Sequence, residues 1–489
     1  MRQIERPARM LDAATGGYAE LTVDAIDQRA DTGPNSRRLA DGLKQRHVVM
    51  LSIGGSIGAG LFVGSGHAIA EAGPAALLAY VFGSLLVVTV MRMLGEMACA
   101  MPDSGSFSTY ADKAIGSWAG FTIGWMYWWF WVLVVPLEAT AAANILNSWL
   151  PDVPVWQLSV LVTAALTIAN LASVKNYGEM EFWFAIIKVT GILIFIGCGI
   201  AALSGFVPTV HLTPWQTVTG HGGFIPRGIA PIIGALLTTM FTFLGTEVVT
   251  IAAAESENPA REIGRAITSV VWRISLFYIG SILVIICTVP WNDPELTRMG
   301  AYQAVLQRFH IPYAKLITDG LILVAVGSCL NSALYTASRM MYSLGTRKQA
   351  PGFLTRTTGN GVPARAVMAS SLVAFVACGA NYLAPKYVFD ALLSTTGAIA
   401  LLVYLVIAVS QLRLHKRLVA AGPLKVKMWL HPFLGALVVL LIGGAFVVMV
   451  LSEDHRREVV ATLGCCVALA AVGYWRQRQL KARATRMMR

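Results

Sequence analysis

Charge is scarce in this sequence. Asp, Glu, Lys and Arg make up 13% of its 489 residues, about half the roughly 25% of an average protein. Apolar residues make up 56%, so a soluble globule of this composition would have too little polar surface to cover its core. Cysteine is also sparse. Cys99, Cys198, Cys287, Cys329, Cys378, Cys465 and Cys466 all fall in or beside apolar runs. They are odd in number and form no C-x-x-C or Cys/His cluster, so neither a disulfide framework nor a metal site is expected. Motifs for chemistry are missing as well. There is no Walker-type phosphate loop, no G-x-S-x-G nucleophile elbow, no H-E-x-x-H pair, and no G-x-G-x-x-G following a strand. An ATP-driven pump, a hydrolase and a dinucleotide enzyme are thereby excluded. No catalytic residue and no cofactor are expected.

What is abundant is apolar length. A helix needs about 20 apolar residues to cross a bilayer, and twelve such stretches can be counted, near 48–70, 75–100, 117–146, 155–174, 182–204, 228–254, 272–291, 314–343, 366–384, 387–410, 429–451 and 457–475. The expectation is an all-α polytopic membrane protein with twelve transmembrane helices. The net charge of +12 is unevenly placed. If the N-terminus is cytoplasmic, 29 of the 38 Lys and Arg lie on that side and 7 on the other, with Arg92 and Lys188 inside spans. The positive-inside rule then puts both termini in the cytoplasm, and the excess needs no nucleic-acid partner. Residues 1–46 are polar, mixed in charge and without apolar periodicity. They read as a disordered tail with no signal-peptide core.

Two apolar stretches carry interruptions. LSIGGSIGAGLFVGSG (51–66) holds Gly54, Gly55, Gly58, Gly60, Gly64 and Gly66, each costing a helix interior roughly 0.8–1 kcal/mol. MFTFLGTEVV (240–249) holds Gly245 and Thr246, followed by Glu247 among apolar neighbours. These are the first and sixth stretches, which correspond if spans 1–5 and 6–10 are inverted repeats. Interruptions at matching places in two halves point to a transporter's central site. Unwinding frees backbone N–H and C=O groups, which a membrane tolerates only where they line a cavity. The N–H groups suit a carboxylate and the carbonyls an ammonium. A second reading is close helix packing, since Gly54-x-x-x-Gly58 and Gly60-x-x-x-Gly64 are both small-xxx-small patterns. Residue type alone allows both.

Ionisable groups inside spans are costly and therefore informative. Arg92 and Glu96, four apart, are expected to pair at the inner end of their span. Asp319 and Asp390 sit near outer ends, where water reaches. Glu138 lies deeper, in VLVVPLEATAAA. Lys188, in FWFAIIKVTGILIF, is six residues past Phe182, about 9 Å along a helix. Snorkelling and function both remain open for it, and a buried lysine able to exchange its proton favours function.

The segments GGSIGAGLFVGSG, GSFSTYADKAIG, SVKNYGEMEFW, TIAAAESENP and CLNSALYTASRMMYSL together resemble the amino acid–polyamine–organocation superfamily. Within it the chain is similar to the bacterial amino acid transporter family, from about Leu43 to Arg476. The likeness is strongest to the γ-aminobutyrate (GABA) permeases, in YWWFWVLVVPLEA, TIAAAES and GAIALLVYLVIAVSQLR. The resemblance implies the leucine-transporter fold, with helices 1 and 6 broken. It divides the chain into a tail (1–46), a first repeat (47–204), a second repeat (205–411), two further helices (412–476) and a C-terminal tail (477–489). The implied activity is proton symport of GABA or a close ω-amino acid across the cytoplasmic (inner) membrane of a bacterium, with substrate, protons and lipid as partners. Substrate contacts fall on Ser56, Ile57, Gly58, Ala59 and Gly60, and on Phe241, Thr242, Leu244 and Gly245. Proton coupling falls on Lys188, which matches a lysine that occupies the place of a sodium ion in proton-coupled relatives, and on Glu247, with Glu138 as a further candidate. Ala59 stands where many family members carry Ser or Thr, which leaves room for the longer GABA.

Overall fold

The computed structural model describes residues 43–54, 57–58, 60–206, 213–243, 245–256, 258–383, 385–451 and 456–487. The N-terminal tail up to residue 42 lies outside them. Among the described residues the chain is helical, with no strand beyond an isolated bridge between Leu43 and Ser256. Helices are what a lipid-embedded chain must form, because each closes its own backbone hydrogen bonds.

In chain order the main helices are α1 (Gln45–Gly54), α2 (Ser65–Ala72), α3 (Ala76–Ala100), α4 (Ser106–Ala114), α5 (Ser117–Trp149), α6 (Val155–Ala172) and α7 (Val174–Leu203). They continue with α8 (Ala230–Phe243), α9 (Val248–Ala253), α10 (Pro259–Arg273) and α11 (Gly280–Thr288). The last five are α12 (Ala314–Thr346), α13 (Ala364–Leu383), α14 (Pro385–Ala421), α15 (Phe433–Leu451) and α16 (Arg456–Met487). Nine helical stretches among the described residues are long and apolar enough to cross a membrane. The count is below twelve partly because two expected spans are divided. The 48–70 stretch gives α1, a π turn at Gly60–Gly64 and α2, and the 228–254 stretch gives α8 and α9. Neither α1 nor α8 reaches spanning length by itself.

Polarity is arranged inside out. Glu138, Glu181, Lys188, Glu247 and Arg339 are all buried, while Leu85, Ile168 and Leu440 are at least 62% exposed. Water would penalise that surface, and hydrocarbon does not. At the centre the long helices α5 and α12 pack together, α7 packs on both α1 and α12, and α3 packs on α8, α10 and α14. The two interrupted segments therefore sit inside a cage of continuous helices.

Candidate functional site

The first interruption begins where α1 ends at Gly54. Ile57 and Gly58 are outside any helix, and the π turn starts at Gly60. Ile57 is buried, and its carbonyl accepts a hydrogen bond from Lys188 Nζ at 3.1 Å. Lys188 comes from the middle of α7 and is fully buried. Its Nζ also donates to Ser328 Oγ of α12 at 2.8 Å. Ser328 in turn donates to Glu181 Oε2 at 2.6 Å, and Asn331 Nδ2 donates to Glu181 Oε1 at 2.8 Å. Asn170 Nδ2 of α6 donates to Asn331 Oδ1 at 2.7 Å. A cation and a carboxylate thus face each other through one hydroxyl, an arrangement that balances two charges away from water. The depth and the carbonyl partner are what snorkelling would not produce.

Gly58 is tightly packed against side chains of two other helices. A Cβ placed there would meet Cys329 Sγ and Glu138 Oε1 at 3.0 Å each. Glu138 therefore borders the same interruption as Lys188. Gly60 packs on the other interrupted segment, since its Cβ would lie 3.1 Å from Thr242 Oγ1 and 3.2 Å from Thr242 Cα.

The second interruption is a turn over Gly245, Thr246 and Glu247 between α8 and α9. Gly245 has φ +110°, a conformation glycine adopts without steric cost. Its backbone N–H points at the Glu247 carboxylate, 3.0 Å from Oε2 and 3.2 Å from Oε1. Tyr127 of α5 donates its hydroxyl to Glu247 Oε1 at 2.7 Å. The Tyr127 ring is held edge-on by Phe107 at 4.7 Å. The backbone carbonyl of Thr242, one turn earlier, accepts from the Tyr278 hydroxyl at 3.3 Å.

Of the expected site residues, Ile57, Gly58, Gly60, Thr242, Gly245, Lys188, Glu138 and Glu247 are placed at or beside these two turns. Ser56, Ala59 and Leu244 lie outside the described residues, and of Phe241 only the backbone, in α8, is described. Four polar groups went unread in the sequence: Glu181, Ser328, Asn331 and Tyr127. A further buried ion pair joins Arg339 Nε of α12 to Glu255 Oε1 at 3.0 Å, just after α9. The Arg339 guanidinium lies 3.9 Å from the Tyr335 ring centre. Arg92 and Glu96 do not pair as expected. Arg92 Nε donates to the Lys427 carbonyl and stacks on Trp429, while Glu96 accepts from Gln411 Nε2, His415 Nδ1 and Met428 N. Each found a partner in the 422–432 segment that sequence spacing could not reveal. Asp319 does take a local partner, Lys315, at 2.8 Å.

A polytopic helical protein with buried charged groups beside turns in its apolar segments has the architecture of a membrane permease. The amino acid permease family model matches residues 47–484, and the chain belongs to that family. It is 57% identical over 450 residues to a probable GABA permease of Pseudomonas aeruginosa, covering 91% of this chain and 95% of that protein. It is 54% identical over 444 residues to the gamma-aminobutyric acid permease of Escherichia coli, covering 90% and 95%. A solved manganese transporter of Eremococcus coleocola shares the fold at a TM-score of 0.58 and 14% identity, over 88% of this chain and 93% of that one.

Proposed function

We propose that the chain imports γ-aminobutyrate, or a close ω-amino acid, by proton symport through alternating access. The substrate reading rests on the GABA permeases that match at 57% and 54% over nine-tenths of the chain. The coupling reading rests on one observation, the Lys188 ammonium holding the Ile57 carbonyl inside the first interruption. A charged lysine there offsets the carbonyl's dipole and ties α7 to the first segment. Loss of its proton removes the charge and weakens that tie to an ordinary amine hydrogen bond, so protonation and the position of the first segment are linked.

In this reading the substrate carboxylate meets free amides of the stretch 56–60, and its ammonium meets carbonyls freed near residues 241–245. Phe241 closes over the ligand. Glu247 and Glu138, the two carboxylates beside the interruptions, handle the ammonium or the proton. Among the described residues the charged groups beside the breaks are Glu138, Glu247 and Lys188, and the cation among them suits a zwitterion better than a dication. The fold is read as twelve spans, with repeats over 47–204 and 205–411 and two further helices over 412–476. Helices 1 and 6 are broken, and both termini lie in the cytoplasm beneath an inner membrane.

Reconstituted vesicles with an imposed pH gradient test this directly. GABA and β-alanine are expected to accumulate without sodium, ahead of proline, phenylalanine, asparagine and lysine. Preference for one of the α-amino acids would replace the substrate reading, and dependence on sodium would remove the coupling one.

A further inference from the structure

Between α10 and the segment 422–432 lies an open groove of about 680 Å³. Its cationic lining is Arg261, Arg265 and Lys425, beside the hydroxyl residues Thr268 and Ser269 and the ring of Trp272. None of the groove's lining residues belongs to the clusters around the two interruptions.

The order of residues along the wall carries the inference. Pro259–Thr288 runs as a single helical stretch through a π turn at Ile274–Ile279. Its inner face is apolar and buried at Ile263, Ala266, Ile267 and Ile274. Its outer face is exposed at Arg261, Arg265, Thr268, Trp272, Leu276 and Leu283. Steps of three, four and seven put these on one stripe of a helix. Along that stripe the chemistry passes from guanidinium to hydroxyl to indole to aliphatic. Trp272 is 77% exposed, the placement of an interfacial anchor. The distance from Arg265 to Trp272 is about 10 Å at 1.5 Å per residue, and Leu283 lies about 16 Å further on. A phospholipid has that sequence of chemistry over that length: phosphate, glycerol esters, acyl chain.

The opposite wall adds charge of the same sign. Lys425 faces Arg261 and Arg265 across the groove. Nearby, Arg92 is stacked on Trp429 at 4.1 Å and holds the Lys427 carbonyl at 2.9 Å, which fixes the segment carrying these residues. Among the described residues the acidic group on the α10 side is Glu262, buried beneath the helix and 3.6 Å from Arg265. It neutralises that guanidinium in part, and among the described residues Arg261 and Lys425 form no ion pair. Basic pockets between spans at the cytoplasmic face are suited to anionic headgroups.

We propose that this groove holds one anionic phospholipid of the adjoining leaflet, with its phosphate between Arg261, Arg265 and Lys425 and an acyl chain along Trp272, Leu276 and Leu283. The lipid joins α10, the helix that follows the second interruption, to the 422–432 segment. The assignment is independent of the substrate reading.

The test uses the full chain, delipidated in detergent, and measures retention of labelled phosphatidylglycerol against phosphatidylcholine. Wild-type protein is expected to retain one phosphatidylglycerol and to discriminate against phosphatidylcholine. In Arg261→Gln/Arg265→Gln/Lys425→Gln, affinity is expected to fall about 100-fold. A matched variant, Arg413→Gln/Lys416→Gln/Arg417→Gln, removes as much charge from the exposed end of α14 and is expected to keep the lipid. Equal loss in the two variants would reduce the site to diffuse surface attraction and overturn the proposal. So would displacement by glycerol phosphate at the concentration that phosphatidylglycerol requires, since an acyl chain would then contribute nothing. If the first variant fails to fold, equal wild-type retention of both lipids still overturns it, and retention of phosphatidylglycerol alone that is lost in Trp272→Ala supports it.

Discussion

At the first interruption a cation holds a backbone carbonyl, and at the second a carboxylate holds a backbone amide. The chemistry is complementary, but the reach is not. Lys188 lies 131 residues from Ile57 and arrives from a different helix. Glu247 lies two residues from Gly245 and caps its own turn. A bond between helices changes when the helices move, whereas a bond within a turn travels with it. The first interruption is therefore the one whose fastening can report the position of the surrounding helices. The second is a prefabricated turn, braced from outside by Tyr127.

The two glycines sharpen this difference most strongly. Gly58 is fixed by crowding and Gly245 by its positive φ. Gly58→Val should abolish uptake while the protein still reaches the membrane, because the branched side chain drives into Cys329 and Glu138. Gly245→Ala should be milder, costing about 1–3 kcal/mol of backbone strain. Paired uptake and membrane-abundance measurements check both, and normal transport by Gly58→Val would place the central site elsewhere.

Next in size is Glu181→Leu. It strips the counter-charge that the Lys188 ammonium reaches through Ser328, a loss of up to about 3–5 kcal/mol for a buried pair. Thermal unfolding in detergent should show a marked drop in midpoint, with gradient-driven uptake falling in step. An unchanged midpoint and uptake would mean that the Ser328 bridge carries no electrostatic weight. Tyr127→Phe is expected to have the smallest effect. It removes one donor from a buried carboxylate that retains the Gly245 amide, costing about 0.5–1.5 kcal/mol. Uptake should slow without losing its response to a pH gradient. Loss of that response would show that the second interruption, too, is coupled through a group on another helix.

The sequence made the charges legible where they broke an apolar run. Lys188, Glu247 and Glu138 stood out because nothing around them was polar. Glu181 did not, because YGEMEFW reads as the polar end of a loop after Lys175. In fact α7 starts at Val174, and Glu181 is two turns inside it. Its partners Ser328 and Asn331 lie 147 and 150 residues away, beyond any local periodicity. The segment CLNSALYT does put a hydroxyl and an amide in an apolar helix, which was the available signal. Helix ends followed hydropathy where the whole helix is apolar, as for α3, expected over 75–100 and found at Ala76–Ala100. They did not where one face is polar. The seventh stretch, expected from residue 272, begins at Pro259, because an amphipathic start has low mean hydropathy even when it is helical.

The most direct test of Lys188 as the group linking proton and substrate is uptake by Lys188→Ala in vesicles, with and without an imposed pH gradient, alongside substrate binding. The variant should still bind GABA and equilibrate it across the membrane, but its accumulation should no longer respond to the gradient, while the wild-type protein accumulates GABA without sodium. Gradient-driven accumulation by Lys188→Ala at the wild-type level, or a sodium requirement in the wild-type protein, would contradict the account.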